Sequence, residues 1–337
     1  MSAEPLFPRR IFEIGCGYRT AKVLLSAIEL DLFTAFSDQP LDAAALTQRL
    51  GLNGRGVADF CDALTALGFL VRGSDGRYAN APEADRYLDR RKPTYIGALF
   101  EQYGATEYAL WNALARALRS GAPQTDIAAV RHFSSLYADP ARLRAFVKSM
   151  TGASLLAGEA IARTFPWIDH RTIMDIGTAE GCLPVIVSGA HPHLRGGGFD
   201  LPPVQPLFES YVRAHALADR LCFVAGDFFE TALPAADVLV LGRVLHNWDL
   251  ESKQMLLKKA YDALPVDGAL LIYETFIAED RISHAAGLLS SLNMLLWTAG
   301  GFDFTAADCM AWMGAAGFRD LRVEPLVGDL SLVIGRK

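Results

Sequence analysis

The stretch RTIMDIGTAEG at residues 171–181 decides the fold class of this chain. The short apolar run TIMDI leads into Gly177, and a helical stretch follows Gly181. Glycines at a first strand-to-helix turn let the backbone pass close to a ligand, and the helix that follows offers free N–H groups. Ala179 stands where a nicotinamide-binding GxGxxG loop has its middle glycine, so the motif alone is equally typical of a tight turn in any α/β protein.

Further apolar runs follow this stretch at intervals, and helical stretches separate most of them. The runs are GGGFDL (196–201), RLCFVAGDFF (220–229), ADVLVLGRVLH (236–246) and GALLIYETFI (268–277). Alternating strands and helices predict a parallel sheet that is covered on both faces, an open α/β domain. In such sheets the ligand lies beyond the carboxyl ends of the strands, so we expect functional residues just after each run.

Acidic residues follow the second and third runs. Asp200 could accept both hydroxyls of a ribose, as a carboxylate at the end of a second strand does in nucleotide-binding sheets. Asp227 could meet an adenine amino group, with the Phe228 ring beside the base. Each alone could instead be a capping Asp or a core Phe. Together with Asp175 they describe a nucleoside site without a clamp for a diphosphate.

His246, after the fourth strand, is the candidate catalytic residue. An imidazole has a free pKa close to neutrality, which suits a general base, although a lone His is more often a structural residue. Glu274 ends the fifth strand and could hold the other ring nitrogen. Asp303 could do the same, or could cap the predicted helix TAADCMAWMGAAG at 305–317.

The N-terminal half is predicted to be a winged helix. Helices are expected at 17–36, 42–50 and 54–70, and Ser74-Asp75-Gly76 forms a turn between two short strands. Residues 1–90 carry 10 Lys and Arg against 12 Asp and Glu, a poor balance for contacts to phosphates. A dimerisation module is therefore favoured over a DNA-binding domain. Residues 93–165 are expected to be mainly helical, with one long helix at 142–165.

Composition narrows the class of protein further. The chain has 337 residues, a formal charge of −6 and 51% hydrophobic residues, enough for a sizeable core and against nucleic-acid binding as the main activity. No apolar run is long enough to span a bilayer, so no membrane partner is expected. The five scattered cysteines fit a reduced, cytoplasmic protein and offer no zinc framework, and no metal is expected.

Taken together, these residues resemble the S-adenosylmethionine-dependent O-methyltransferases that act on small molecules, the family of plant phenolic, animal hydroxyindole and bacterial antibiotic-pathway enzymes. The motifs that carry the resemblance are DIGTAEG, FDLPPV, GDFF, RVLHNW, the strand that ends in Glu274, GGFDFT and the late AGF. The resemblance implies a winged-helix dimerisation domain at 1–95, a helical connector with pocket helices at 96–165 and a Rossmann-like class I methyltransferase domain at 166–337. It also implies a homodimer.

The resemblance implies roles for individual residues as well. His246 would be the base, oriented by Glu274 and Asp303. The residues expected to bind S-adenosylmethionine are Asp175, Gly177, Gly181, Asp200, Leu201, Asp227, Phe228 and Arg243. The chain departs from the family pattern at Ala179-Glu180, at Gly242 in place of a Lys, at Asn247 in place of an Asp, and at Asp303 in place of a longer Glu.

The acceptor is expected to be a small aromatic secondary metabolite that is methylated on a hydroxyl. Helices near 100–155 and 285–300 should line its pocket, with Tyr103, Trp111, Phe133, Met150, Asn247, Asn293, Met294 and Trp297 as candidates. C- or N-methylation, or non-methylating chemistry with the cofactor bound, stays open. Two other classes also compete: a ligand-sensing DNA-binding regulator and a dinucleotide oxidoreductase.

Overall fold

A computed structural model describes residues 7–125 and 134–337. The chain divides between Tyr108 and Ala109 into two compact units. This division falls inside the predicted connector at 96–165, and the proposed three-part boundaries stay a prediction. Within the described ranges, no helix is both long and apolar enough to cross a membrane.

The N-terminal unit is mainly helical and carries one small hairpin. Its elements are α1 (Arg9–Glu29), α2 (Leu32–Ala35), α3 (Ala43–Leu50), α4 (Val57–Ala66), β1 (Leu70–Arg72), β2 (Tyr78–Asn80), α5 (Pro82–Leu88) and α6 (Gly97–Gln102), followed by a π-helical turn, Tyr103–Glu107. A cluster of buried side chains that includes Phe33, Leu46 and Leu64 packs these elements together. The expected order of helices followed by a two-stranded wing is present.

Two helix predictions in this unit need correction. The expected helix at 17–36 is two helices, because Asp31 adopts a left-handed conformation (φ 57°) that interrupts the helical backbone. The helix expected at 54–70 is the shorter α4, since Gly56 is its N-cap in a left-handed conformation. The helix predicted at 42–50 is confirmed as α3, and the Asp42 side chain caps it by accepting from the Ala45 N–H at 2.8 Å.

The C-terminal unit contains a seven-stranded sheet. Its strands are β3 (Thr172–Ile176), β4 (Arg195–Asp200), β5 (Leu221–Ala225), β6 (Val238–Gly242), β7 (Ala269–Glu274), β8 (Arg319–Val327) and β9 (Leu330–Arg336). The spatial order is β5-β4-β3-β6-β7-β9-β8. The first five strands in this order run parallel, while β9 pairs antiparallel with both β7 and β8. The predicted parallel α/β sheet is therefore confirmed.

Helices cover both faces of this sheet. The α-helices from Tyr108 onward are α7 (Tyr108–Leu110), which begins at the boundary between the units, α8 (Leu114–Ser120), α9 (Ser134–Tyr137), α10 (Pro140–Thr164), α11 (Cys182–Ala190), α12 (Gln205–Ala214), α13 (Leu250–Ala263), α14 (Ala286–Trp297) and α15 (Ala306–Ala316). Buried residues of α10 and α11 join one core cluster, and those of α13 and α15 join another. The single long helix predicted at 142–165 is α10.

The last two strands are absent from the prediction, and β8 shows why. Most of its residues are exposed or half-buried at the edge of the sheet, and it carries charged residues such as Arg319, Arg322 and Glu324. An edge strand of this kind lacks the continuous apolar run that marks a strand buried on both faces.

Candidate active site

The candidate site lies at the carboxyl edge of the parallel strands. The chain order reverses around β3, whose neighbours are β4 on one side and β6 on the other. A crevice outside the strand ends at such a reversal is where open α/β sheets bind their ligands. All the loops that carry predicted cofactor or catalytic residues, apart from the one with Asp303, leave β3 to β7 at this edge.

The loop after β3 requires glycine at two positions. Gly177 and Gly181 have φ angles of 76° and 92°, in the left-handed region. A Cβ atom at Gly177 would lie 2.9 Å from Val244 Cγ2, and one at Gly181 would lie 2.7 Å from the Phe208 ring. Gly181 is also the N-cap of α11. The loop therefore presents bare backbone and a helix N-terminus to the crevice.

Asp200 fastens this loop to the end of β4. Its Oδ2 atom accepts from the Ala179 N–H at 2.9 Å, and its Oδ1 accepts from the Leu201 N–H at 2.7 Å. The Tyr137 hydroxyl donates to Oδ1 at 3.4 Å. Burial raises the pKa of Asp200 to about 6, and the two backbone N–H groups oppose this rise. Burial likewise raises the pKa of Asp175, at the centre of the edge, to about 7.

Asp227 and Phe228 follow β5 at the same edge. Asp227 Oδ1 accepts from the Phe229 N–H at 2.9 Å, which fixes the turn. The Phe228 ring meets the Trp248 ring edge-on, with centroids 5.6 Å apart. An apolar ring therefore stands beside a carboxylate, the pairing predicted for an adenine subsite.

His246 lies in a 3₁₀ turn, Leu245–Asn247, just after β6. Its Nδ1 is 3.6 Å from Glu274 Oε2 and 3.4 Å from Asp303 Oδ1. Its backbone N–H donates to Glu274 Oε1 at 3.3 Å. Asp303 is not the cap of α15, because Thr305 is the N-cap and forms a capping box with Asp308. Asp303 instead turns its carboxylate toward the imidazole.

Burial and charge act in opposite directions on this cluster. Burial alone would lower the pKa of His246, but the carboxylates of Glu274 and Asp303 outweigh it and the pKa is raised. Burial raises the pKa of Glu274, and the neighbouring imidazole opposes that rise. The Arg243 guanidinium also faces the cluster, from a residue with a left-handed backbone (φ 55°) at the end of β6. His246 therefore holds a proton to a higher pH than a free imidazole does.

Comparison with known proteins agrees with this arrangement. A family model described as an O-methyltransferase domain matches residues 111–319, and one described as an O-methyltransferase dimerisation domain matches residues 12–90. The chain belongs to the O-methyltransferase family. The predicted family, its two-domain fold and the enzyme class are thereby confirmed, and they favour a methyltransferase over the regulator and the oxidoreductase.

Relatives match this O-methyltransferase over nearly its whole length. The tetracenomycin polyketide synthesis 8-O-methyl transferase TcmO of Streptomyces glaucescens is 39% identical, covering 98% of this chain and 97% of TcmO. The N,N-dimethyltransferase OxyT of Streptomyces rimosus is 33% identical, covering 99% of each chain. The crystal structure of human N-acetylserotonin methyltransferase in complex with SAM has a TM-score of 0.90 at 26% identity, covering 100% of this chain and 99% of that one.

One group of predicted acceptor residues of the O-methyltransferase lies on or against α14, and Asn247 lies in the turn that carries His246. Asn293, Met294 and Trp297 lie on α14, and the Asn293 Oδ1 atom accepts from the Trp111 Nε1 at 3.1 Å. Asn247 donates its side-chain amide to the Arg243 and Val244 carbonyls at 3.1 and 3.2 Å, so its amide already holds the turn that carries His246.

The remaining acceptor candidates lie on other elements or outside the described residues. Met150 lies on α10 and is half-buried. Tyr103 belongs to the N-terminal unit, where its ring meets Phe100 edge-on with centroids 5.8 Å apart. Phe133 lies outside the described residues. The roles of all eight predicted acceptor residues stay predictions.

Two residues at the site, Tyr137 and Lys253, were not predicted from the sequence. Tyr137, which donates to Asp200, has no neighbouring motif that marks it. Lys253 is fully buried on α13 although it is charged. The helical spacing of the sequence could have identified it: positions 253, 256, 257 and 260 form the buried stripe of this helix, so a Lys at 253 faces the interior.

The three groups around the imidazole could also be considered as metal ligands. His246, Glu274 and Asp303 offer ligand atoms that all lie within 4.8 Å of one another. Both carboxylates lie close to the same ring nitrogen, Nδ1. We interpret the cluster as an acid–base group in which two carboxylate charges face one edge of the imidazole.

Proposed function

We propose that this O-methyltransferase methylates a hydroxyl of a small, flat aromatic metabolite, with His246 as the general base. The observation that carries the proposal is the placement of the His246 Nδ1 atom 3.4 Å from Asp303 and 3.6 Å from Glu274, in a loop at the carboxyl edge of the sheet. A phenol has a free pKa of about 10, so at neutral pH it needs a base before its oxygen can attack.

The cofactor is S-adenosylmethionine, and its prediction is confirmed at the level of the family: structures related to this chain are described in complex with SAM or SAH. The residues at the edge fit this molecule. The glycine loop at 177–181 leaves no room for side chains at Gly177 and Gly181 themselves. The Asp200 carboxylate has about four acceptor sites, and its present donors occupy only part of them.

We infer which residues hold each part of the cofactor. The backbone of the Gly177 and Gly181 loop would contact the methionine part, with Asp175 behind it. Asp200, assisted by the Leu201 backbone, would accept the ribose hydroxyls, and Asp227 with Phe228 would contact the adenine. Arg243 would line the cofactor beside the catalytic turn. When bound, S-adenosylmethionine supplies an electrophilic methyl group on a sulfonium.

His246 would remove the proton of the acceptor hydroxyl. The carboxylates of Glu274 and Asp303 hold a proton on Nδ1, which fixes the tautomer and leaves Nε2 with a lone pair for the acceptor. They also stabilise the imidazolium that forms when the base takes the proton. General-base catalysis of this kind contributes about 10²–10⁴ in rate, in addition to the alignment of the two reactants.

The acceptor would be a fused aromatic phenol. Aromatic and sulfur-containing side chains on α10 and α14 offer flat, polarisable surfaces, and the hydrogen bond between Trp111 and Asn293 adds a polar group at α14. TcmO, at 39% identity, is named for 8-O-methyl transfer in polyketide synthesis. We therefore propose a polyketide-like phenol as the acceptor class.

We further propose a homodimer formed through the N-terminal domain, in line with the three-part division at 95 and 165. The matched dimerisation domain supports this partner. Ile11, Phe12 and Ile14 on α1 are 73%, 57% and 66% exposed, an apolar face that a second copy would cover. All five cysteines are free thiols, which supports a cytoplasmic location. The proposal includes neither a nucleic-acid nor a membrane partner.

The test is His246→Gln with a panel of hydroxylated polyketides and aromatic amines. We expect phenol methylation, followed by mass spectrometry, to fall by about 10²–10⁴-fold. Affinity for S-adenosylhomocysteine, measured by calorimetry, should be unchanged. The control is His191→Gln, because the half-buried His191 ring bonds the Ala162 carbonyl at 2.8 Å, away from the site. Wild-type turnover in His246→Gln would reject the base.

N-methylation is the second candidate, because OxyT is an N,N-dimethyltransferase at 33% identity. A neutral amine already carries the attacking lone pair, so it needs no base before attack. The same panel separates the two acceptors: an amine-methylating enzyme would keep its activity in His246→Gln, whereas a phenol-methylating enzyme would lose it.

A further inference from the structure

Lys253 is a charged residue buried in the C-terminal unit beside the catalytic cluster. It is 0% exposed on α13, in line with Leu256, Leu257 and Ala260. Its ammonium donates a hydrogen bond to the Trp248 carbonyl, in the segment that follows His246. A buried ammonium is costly unless an opposite charge balances it.

The Lys253 ammonium also contacts the segment that carries Asp303. Its Nζ atom lies 3.4 Å from the ring centroid of Phe302 and 5.3 Å from that of Phe304. These are the two neighbours of Asp303 in sequence. A cation over an aromatic face is attracted by the ring, more strongly when it is desolvated. Lys253 thus holds both sides of Asp303 while Asp303 faces the imidazole.

The charges around Lys253 point to the same carboxylates. Glu274 on β7, Asp303 and the α13 N-cap Asp249 all favour its charged form, while burial, the larger effect, lowers its pKa to about 8. Asp249 already accepts from the Ser252 N–H at 2.8 Å as the helix cap. The charges left to balance the ammonium are therefore those of Glu274 and Asp303.

The other ionisable groups that face the cluster do not by themselves balance the charges of Glu274 and Asp303. Arg243, from the end of β6, faces His246 and Glu274. Cys309, from α15, faces Glu274, and burial raises the pKa of this thiol so that it stays neutral. Without Lys253, the two carboxylates would face the imidazole with Arg243 as the remaining cation described here, and their charges would hold the imidazole proton more strongly.

We propose that Lys253 is a positioning residue that holds Asp303 toward His246 and balances the second carboxylate, so that the imidazole is free to accept the proton of the substrate. The inference rests on the proposed function of His246 as the base. It assigns a role to a buried cation that the reaction itself does not touch.

The test replaces Lys253 with two neutral residues, Lys253→Met and Lys253→Gln. Gln can still donate to the Trp248 carbonyl, so it would rescue a purely structural role. We expect the acidic midpoint of kcat/KM to rise by about one pH unit or more in both variants, because losing a nearby cation favours the protonated cluster. Turnover at pH 7 should fall about tenfold and recover toward pH 9. The His246 ring signal, followed by NMR in the complex with S-adenosylhomocysteine, should shift its titration in the same direction.

The control is Lys258→Met on the same helix, where the exposed ammonium pairs with the nearby Asp262 and lies over the Tyr261 ring. Its midpoint should match that of the wild type. Unshifted midpoints in the two folded neutral variants, or a Gln variant that behaves like the wild type, would overturn the role of Lys253. So would an uncharged Lys253 amine, seen by ¹⁵N NMR of the wild-type enzyme at pH 7, a measurement that needs no folded variant. If His246 is not the base, the His246→Gln variant will retain activity, which is a separate result. In that case the NMR titration of the His246 ring still shows whether Lys253 affects its protonation.

Discussion

The two sides of the candidate site are built from different kinds of chemical groups. The cofactor side, at the ends of β3, β4 and β5, uses main-chain groups: left-handed glycines and N–H groups that bind Asp200. The catalytic side, at the ends of β6 and β7, uses buried ionisable side chains around His246. We infer that cofactor binding and chemistry are separable, because main-chain groups together with the Asp200 carboxylate would govern the first and the balance of buried charges around His246 would govern the second.

Glu274→Gln tests this separation with the largest expected effect. The amide keeps the shape of the carboxylate but removes a buried negative charge 3.6 Å from the His246 Nδ1. Because the imidazolium loses part of its stabilisation and its orientation, we expect kcat to fall by about 10²-fold or more. Steady-state kinetics give kcat, which reports on the catalytic side, and calorimetry with S-adenosylhomocysteine gives the Kd, which reports on the cofactor side.

The matched control for that variant is Glu279→Gln. Glu279 is exposed and accepts from the Ala307 N–H at 2.9 Å, on the same chain segment but outside the cluster. Its kcat should stay at the wild-type value. A Glu274→Gln enzyme that lost cofactor affinity as strongly as turnover would show that the two sides are one unit, and the comparison would fail.

The cofactor side could be predicted from the sequence because its signals are local. A short apolar run followed by glycines, and acidic residues directly after the next two runs, identify strand ends without knowledge of the tertiary structure. The position of His246 was accessible in the same way. Strand β8 was not, since it lies at the edge of the sheet, lacks a continuous apolar run and is placed by pairing with β9. Strand β9, which lies between β7 and β8, was missed as well.

The catalytic side could be predicted only in part. The sequence alone left Asp303 between a capping role and a catalytic one; the capping box of Thr305 and Asp308 excludes the first, and the catalytic role stays a prediction. Lys253 was missed because a single Lys in a helix usually points to solvent, and its burial depends on how α13 packs on the sheet. Charges that meet across distant segments leave no local pattern.

Asp200→Asn probes the cofactor side with a smaller expected effect. The Asn amide cannot accept from both the Ala179 and Leu201 N–H groups, and it is a weaker acceptor for hydroxyls. We expect the Kd for S-adenosylmethionine to rise about 10- to 100-fold. The kcat at saturating cofactor should change much less. Calorimetry and saturation kinetics check the two values.

Asp237→Asn is its matched control at the opposite edge of the sheet. The Asp237 Oδ2 atom accepts from the Arg171 and Thr172 N–H groups at 2.7 and 3.0 Å, the same chemistry before β3 instead of after β4. This variant should lose stability without losing cofactor affinity. An equal rise in Kd in both variants would mean that Asp200 acts on the fold and not on the cofactor.

Gly181→Ala has the smallest expected effect and sharpens the claim that the cofactor side depends on backbone conformation. At φ 92° an L-residue is strained, and its Cβ would lie 2.7 Å from the Phe208 ring. We expect a loss of about 1–2 kcal/mol in the free energy of unfolding, seen in urea melts. Gly189→Ala, on the same helix, has no atom within 4 Å of the added Cβ and should be neutral or stabilising by about 0.5–1 kcal/mol. Equal stability of the two variants would show that the loop tolerates side chains, and the main chain would then not be what shapes the cofactor side.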